Sequence, residues 1–196
     1  MRRLVLLALS MMLAACSNAT SPLHYTPTVA IVTVPTATLG AVAVTDQRKE
    51  APTRLATVMG GFGNPIKTLD TAKPVKDEVA DAFTEGLRRR GMLGEGVQPF
   101  HLALTIRKFD ADMIIGRTAR INLTMSVLAA DGHVVYEDAV ADEESDMKFF
   151  ETGIMANIDD LRVLCETVLN RTIDRMLDKP AFRQAVGAAA AGAPTS

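Results

Sequence analysis

Two stretches with a hydrophobic period of two fix most of what this chain can become. Phe100, Leu102, Leu104 and Ile106 alternate with His101, Ala103, Thr105 and Arg107, and Ile121, Leu123, Met125 and Val127 alternate with Arg120, Asn122, Thr124 and Ser126. A strand points successive side chains to opposite faces, so each stretch predicts a strand with one dry face and one wet face. Asp131-Gly132 follows Leu128 and precedes His133 to Val140, which predicts a hairpin turn into a third strand. One-sided alternation is typical of antiparallel sheets, because strands of parallel sheets are usually buried on both faces.

Two amphipathic helices flank these strands. Pro74 opens the first, with Asp77 and Glu78 in its first turn and Gly91 just past its end. Val75, Val79, Ala82, Phe83, Gly86 and Leu87 make its apolar face. Asn157 caps the second, and Ile158, Leu161, Leu164, Cys165, Val168, Leu169, Met176 and Leu177 form its stripe up to Pro180. Leu39 to Thr45 reads as an earlier strand ending at Asp46-Gln47-Arg48. Leu55 to Met59 and Ile66 to Leu69 suit a hairpin across the glycine-rich stretch between them. The expected fold is α+β: an antiparallel sheet in strand, helix, strand, strand, strand, helix order, with both helices packed on one face. A single domain over 39–182 would be followed by a disordered Ala-rich tail over 183–196.

The N-terminus carries an export signal. Arg2 and Arg3 precede an apolar run, Leu4 to Ala15, that is too short for the roughly 20 residues of a membrane span. It ends in Leu13-Ala14-Ala15-Cys16, the pattern of a bacterial lipobox. Residues 1–15 are then a lipoprotein signal peptide, cleaved between Ala15 and Cys16. Cys16 becomes the lipid attachment site, carrying acyl chains such as palmitate, and several such chains make a lasting anchor. The rival is an ordinary secretory signal cut after Ser17-Asn18-Ala19. Residues 16–38, rich in Ser, Thr and Pro, read as a lipidated flexible tether, although Thr28 to Val34 could be a strand. Ser17 after the cysteine favours the periplasmic face of the outer membrane. Without Arg2 and Arg3 the chain has 19 basic residues against 23 acidic, a net charge of −4, which argues against nucleic acid as a partner.

The lipobox, the Asp46-Gln47-Arg48 strand ending, the helix closing in Arg89-Arg90-Gly91, the three strands from Phe100 to Val140 and the long last helix together resemble the YajG-like bacterial lipoproteins. The resemblance spans Leu39 to Val186 and lies mainly in the order of elements. It implies an envelope lipoprotein without an assigned biochemical activity.

Catalytic constellations fail on inspection. Gly61 to Thr68 places Gly, Lys and Thr as a phosphate-binding loop does, but Ile66 stands where the second glycine belongs and Pro65 removes a backbone donor, so no nucleotide is expected. His24, His101 and His133 are far apart in sequence and belong to no local metal-ligand motif. The acidic group Glu137, Asp138, Asp142, Glu143, Glu144 and Asp146 lacks calcium-loop spacing and reads as a solvated strand end. Arg88-Arg89-Arg90 reads as cationic closure of a helix, and Cys165 as a small buried apolar group. The expectation is a non-enzyme with no cofactor and no metal. It would act as a protein-binding or assembly module of the cell envelope through the wet sheet face of His101, Thr105, Arg107, Arg120, Asn122 and Thr124, engaging an envelope protein or a second copy. The alternative is an auxiliary lipoprotein of a lipid or solute transport system.

Overall fold

The computed structural model describes residues 19–31, 33, 38–60, 62–113, 116–146 and 157–192. Its strands are β1 (Ala19–Thr20), β2 (Val42–Asp46), β3 (Arg54–Met59), β4 (Pro65–Asp70), β5 (Phe100–Met113), β6 (Arg117–Ala129) and β7 (Val134–Asp146). Its helices are α1 (Val75–Arg89), α2 (Ile158–Leu177) and α3 (Pro180–Gly192). The strands form one sheet in the order β1-β4-β3-β5-β6-β7, with β2 also pairing with β5.

The three long strands form the antiparallel meander read from the alternation. Leu104 stands opposite Met125, and Leu123 opposite Val140. Their dry face, from Phe100 through Leu102, Leu104, Ile106, Ile121, Leu123, Met125 and Val127, is buried. Phe83, Leu87, Leu161, Cys165, Val168 and Leu169 from the helices pack into the same core, each burial contributing about 1.5–3 kcal/mol for the larger side chains. Asn157 accepts the Asp159 N–H at 3.1 Å and caps α2 as expected. The β3–β4 hairpin also forms where the sequence placed it.

The sheet is mixed, which corrects the antiparallel expectation. β2 pairs with the first half of β5 in parallel, Val44 opposite Leu104, and β3 pairs with its far end in parallel, Val58 opposite Met113. β1 also joins β4 in parallel. Alternation reports which face a residue occupies and says nothing of the direction of the neighbouring strand, so this feature lay outside its reach. The expected strand and helix order is likewise corrected, because β1, β3, β4 and α3 add to it.

Both ends depart from the expectation as well. Within the stretch read as a tether, Leu23 and Tyr25 are buried in the core cluster, and Thr28 to Val34 holds no strand among its described residues. The Ala-rich stretch from 183 is helical through Gly192, and Phe182 and Val186 are buried. Alanine is the best helix former, and these two residues four apart supply the apolar contact that holds α3 in place.

Candidate interaction surface

Arg107 is the extra residue of a β-bulge: the register steps from Ile106 opposite Leu123 to Lys108 opposite Asn122. The bulge keeps Ile106 and Phe109 both on the dry face and turns Arg107 out to solvent. Beside it, Thr105 stands opposite Thr124, and Thr124 opposite Ala139. Thr105, Arg107, Asn122 and Thr124 line a shallow concavity of about 720 Å³, together with Gln47, Ser126 and Glu137. Four of the six residues expected on this face therefore meet. The Ser126 hydroxyl donates to Glu137 at 3.1 Å across its floor.

His101 and Arg120 share the face but lie outside the concavity. His101 is half-buried opposite Leu128, two wet-face positions before Thr105. Arg120 is held by carboxylates, with Asp110 at 3.6 Å, Glu143 at 3.2 Å and Asp112 hydrogen-bonded to the same guanidinium. Burial pushes the Asp110 carboxyl above its ordinary value, against the pull of Lys108 and Arg120. Cys16 and the Ala15–Cys16 cleavage point lie outside the described residues.

The other motifs resolve into structure. In the glycine-rich stretch Gly60 N–H donates to Asn64 at 2.7 Å, Gly63 turns at a φ of 76°, and Lys67 and Thr68 belong to β4, so the stretch closes a hairpin. Asp46 and Arg48 fix the end of β2 by local hydrogen bonds. Arg48 also donates to the carbonyls of Arg54 and Phe109 at 2.8 and 3.0 Å, filling the break where β2 gives way to β3 along β5. Burial would raise the Asp46 carboxyl, but Arg48 outweighs it and holds it below the carboxylate range. On β7, Asp142 and Glu144 meet Arg171, and Asp138 meets Lys179, so these three carboxylates pair with the helical layer. Among the described residues no three His, Cys, Asp or Glu side chains converge as a metal site would require. Burial pushes the Cys165 thiol far above its ordinary value, which suits a packing role.

A buried polar cluster escaped the sequence reading. Arg90 donates to Asp174 at 2.7 Å, to Asp178 at 2.6 Å and to the Tyr25 hydroxyl at 2.8 Å. Tyr25 in turn donates to Asp174 at 2.5 Å, and Thr28 donates to it through backbone and hydroxyl at 2.6 Å. Leu23 N–H reaches Glu78 at 3.2 Å and His24 N–H reaches Glu166 at 3.1 Å. Residues 23–28 are thus strapped across α1 and α2 by carboxylates. Burial alone would raise Asp174, but the hydrogen bonds from Thr28, Tyr25 and Arg90 outweigh it and hold its carboxyl below the ordinary value. Burial pushes the Tyr25 hydroxyl up to about 12, against the pull of Arg90. A signal for Arg90 existed: it follows Phe83, Gly86 and Leu87 at helical spacing and so belongs to the buried face of α1.

Comparison with known proteins yields structural likeness. No protein-family model matches the chain, and no curated protein matches it. A crystal structure of a Xanthomonas campestris protein of the DUF330 family superposes with a TM-score of 0.61 at 15% identity, covering 87% of this chain and 95% of that one. An uncharacterised protein of known structure superposes at 0.55 with 7% identity, over 83% of this chain and 97% of its own. A minor lipoprotein from Acinetobacter baumannii aligns more loosely, at 0.40 and 10% identity, over 54% of this chain and 84% of its own. The first two share this fold across nearly their whole length. At such identities the likeness establishes the fold alone.

Proposed function

We propose that this chain is a non-catalytic lipoprotein, anchored through Cys16 at the periplasmic face of the outer membrane, that binds another envelope protein through the wet face of its sheet. The observation that carries this reading is the asymmetry of the sheet. One face is filled by the helices, while the other presents Thr105, Arg107, Asn122 and Thr124 around an open concavity. Among the described residues no helix is long and apolar enough to cross a membrane, so the lipid on Cys16 supplies the attachment in this reading. The edge strand β7 favours a different protein over a second copy. Glu137, Glu143 and their acidic neighbours would face like charges if two such edges paired.

In-cell crosslinking tests the reading. Replacing Arg107, Arg120 and Asn122 together with alanine weakens capture of the partner and leaves the domain folded, since all three face away from the core. Leu123→Asp is the contrast, because a carboxylate on the dry face unfolds the domain. Unchanged capture by the triple variant, at unchanged thermal stability, overturns the surface. Cys16→Ala leaves the precursor unacylated if the anchor is correctly assigned. Capture of a transporter subunit would instead favour an auxiliary role in a lipid or solute transport system.

A further inference from the structure

At the tip of the β3–β4 hairpin, Phe62 is fully exposed at 102%, next to Gly63 in its left-handed turn. Among the described residues nothing covers this ring to offset its contact with water. Two other facts orient this tip. β3 runs parallel to β5, so the tip lies at the end of the sheet where β5 turns into β6, the end defined by Met113 and Arg117. β1 runs parallel to β4, which leads away from the tip, so Ala19 is the tip-proximal end of β1.

Chain length bounds the distance from the anchor. Ala19 pairs with Leu69, and Leu69 is four residues along β4 from Pro65 at the base of the tip, roughly 13 Å at strand rise. Cys16 precedes Ala19 by three residues, a reach of at most about 11 Å for an extended chain. With residues 19–28 fastened by β4 and by Glu78, Glu166 and Asp174, there is little slack for the domain to drift from its anchor.

We propose that the Phe62 tip is a second membrane contact, inserting its ring into the interfacial layer of the bilayer that holds the Cys16 lipid. The inference rests on the anchor reading above. The contact is apolar and not electrostatic, because the mature chain is net acidic and an anionic surface would not attract it. The sheet then stands on its tip with the wet face turned sideways, open to a neighbouring protein.

The chain contains no Trp, so Phe62→Trp places a single reporter at the tip. Val97→Trp places one at an equally exposed position before β5, at the opposite end of the sheet. The lipidated proteins are reconstituted in phosphatidylethanolamine and phosphatidylglycerol vesicles doped with brominated phosphatidylcholine. Trp at 62 shifts to the blue and is quenched at least twofold, with little change on adding salt, and Trp at 97 is neither shifted nor quenched. Equal behaviour of the two reporters, or no quenching at 62 in protein whose N-terminal peptide is shown by mass to be acylated, overturns the tip contact and leaves the anchor standing. An unacylated peptide overturns the anchor instead. In that case the chain beginning at Cys16 is coupled to a maleimide lipid, which spares buried Cys165, and the same quenching decides whether the geometry brings the tip to the bilayer.

Discussion

Arg90 gathers two carboxylates and Arg120 three, yet they do different things. The Arg90 side chain is 1% exposed and closes a cluster between α1, α2 and the strap, whereas Arg120 is 29% exposed on the open face of the sheet. The chemistry is the same and the solvent differs. In the interior each charge needs its partner to offset lost hydration, so removing one strands the others. At the surface water substitutes for a missing partner, and the pairs contribute little.

The sharpest way to break this contrast is Arg90→Leu. It leaves Asp174 and the Tyr25 hydroxyl without their shared cation and should destabilise the domain by about 3–5 kcal/mol, read as a lower urea midpoint. The strap should loosen with it, so limited proteolysis should begin within residues 22–28. A loss below about 1 kcal/mol would mean that apolar contacts of Leu23 and Tyr25 hold the strap without the arginine.

The strap and the sheet also differ in how far the sequence disclosed them. The β5–β7 meander and both long helices were legible because periodicity at two and at 3.6 residues reports which side chains are buried. Four of the six wet-face residues meet around one concavity for the same reason. The parallel pairing of β2 and β3 was not legible, since β2 shows its faces but not the direction of the strand beside it. Leu23 and Tyr25 sit among prolines and threonines, whose composition suggests a tether. Their anchoring depends on backbone N–H groups meeting Glu78, Glu166 and Asp174, contacts more than fifty residues apart in sequence. Arg90 was within reach of the helical spacing, but a run of three arginines before a glycine resembles ordinary helix closure.

A second test varies pH in place of the arginine. The Asp174 carboxyl is held below its ordinary value in the folded state, so its contribution is present above about pH 4. It is lost as pH falls through the lowered folded value. The stability difference between the native protein and Asp174→Asn should therefore be constant from neutral pH down to about 4, then shrink on further acidification. A difference that stays flat through that range would show that the Asp174 charge contributes nothing to folding and that only its shape and hydrogen bonds matter.

The smallest expected effect belongs to Arg120. Arg120→Ala should cost less than about 1 kcal/mol, and the loss should shrink further at high salt. Asp110 sharpens the point. Burial already raises its carboxyl, so its ionised form is a burden at neutral pH that Arg120 partly relieves. Asp110→Asn should accordingly be neutral or slightly stabilising near pH 7, with the gain fading on acidification as the native carboxyl takes up its proton. In a double-mutant cycle, Asp110→Asn should recover part of what Arg120→Ala loses, at a coupling below about 1 kcal/mol. A coupling of several kcal/mol would place Arg120 in the same class as Arg90 and make it a structural residue. A small one leaves the guanidinium available at little cost to the fold, so any loss of partner capture on its replacement can be assigned to the contact itself.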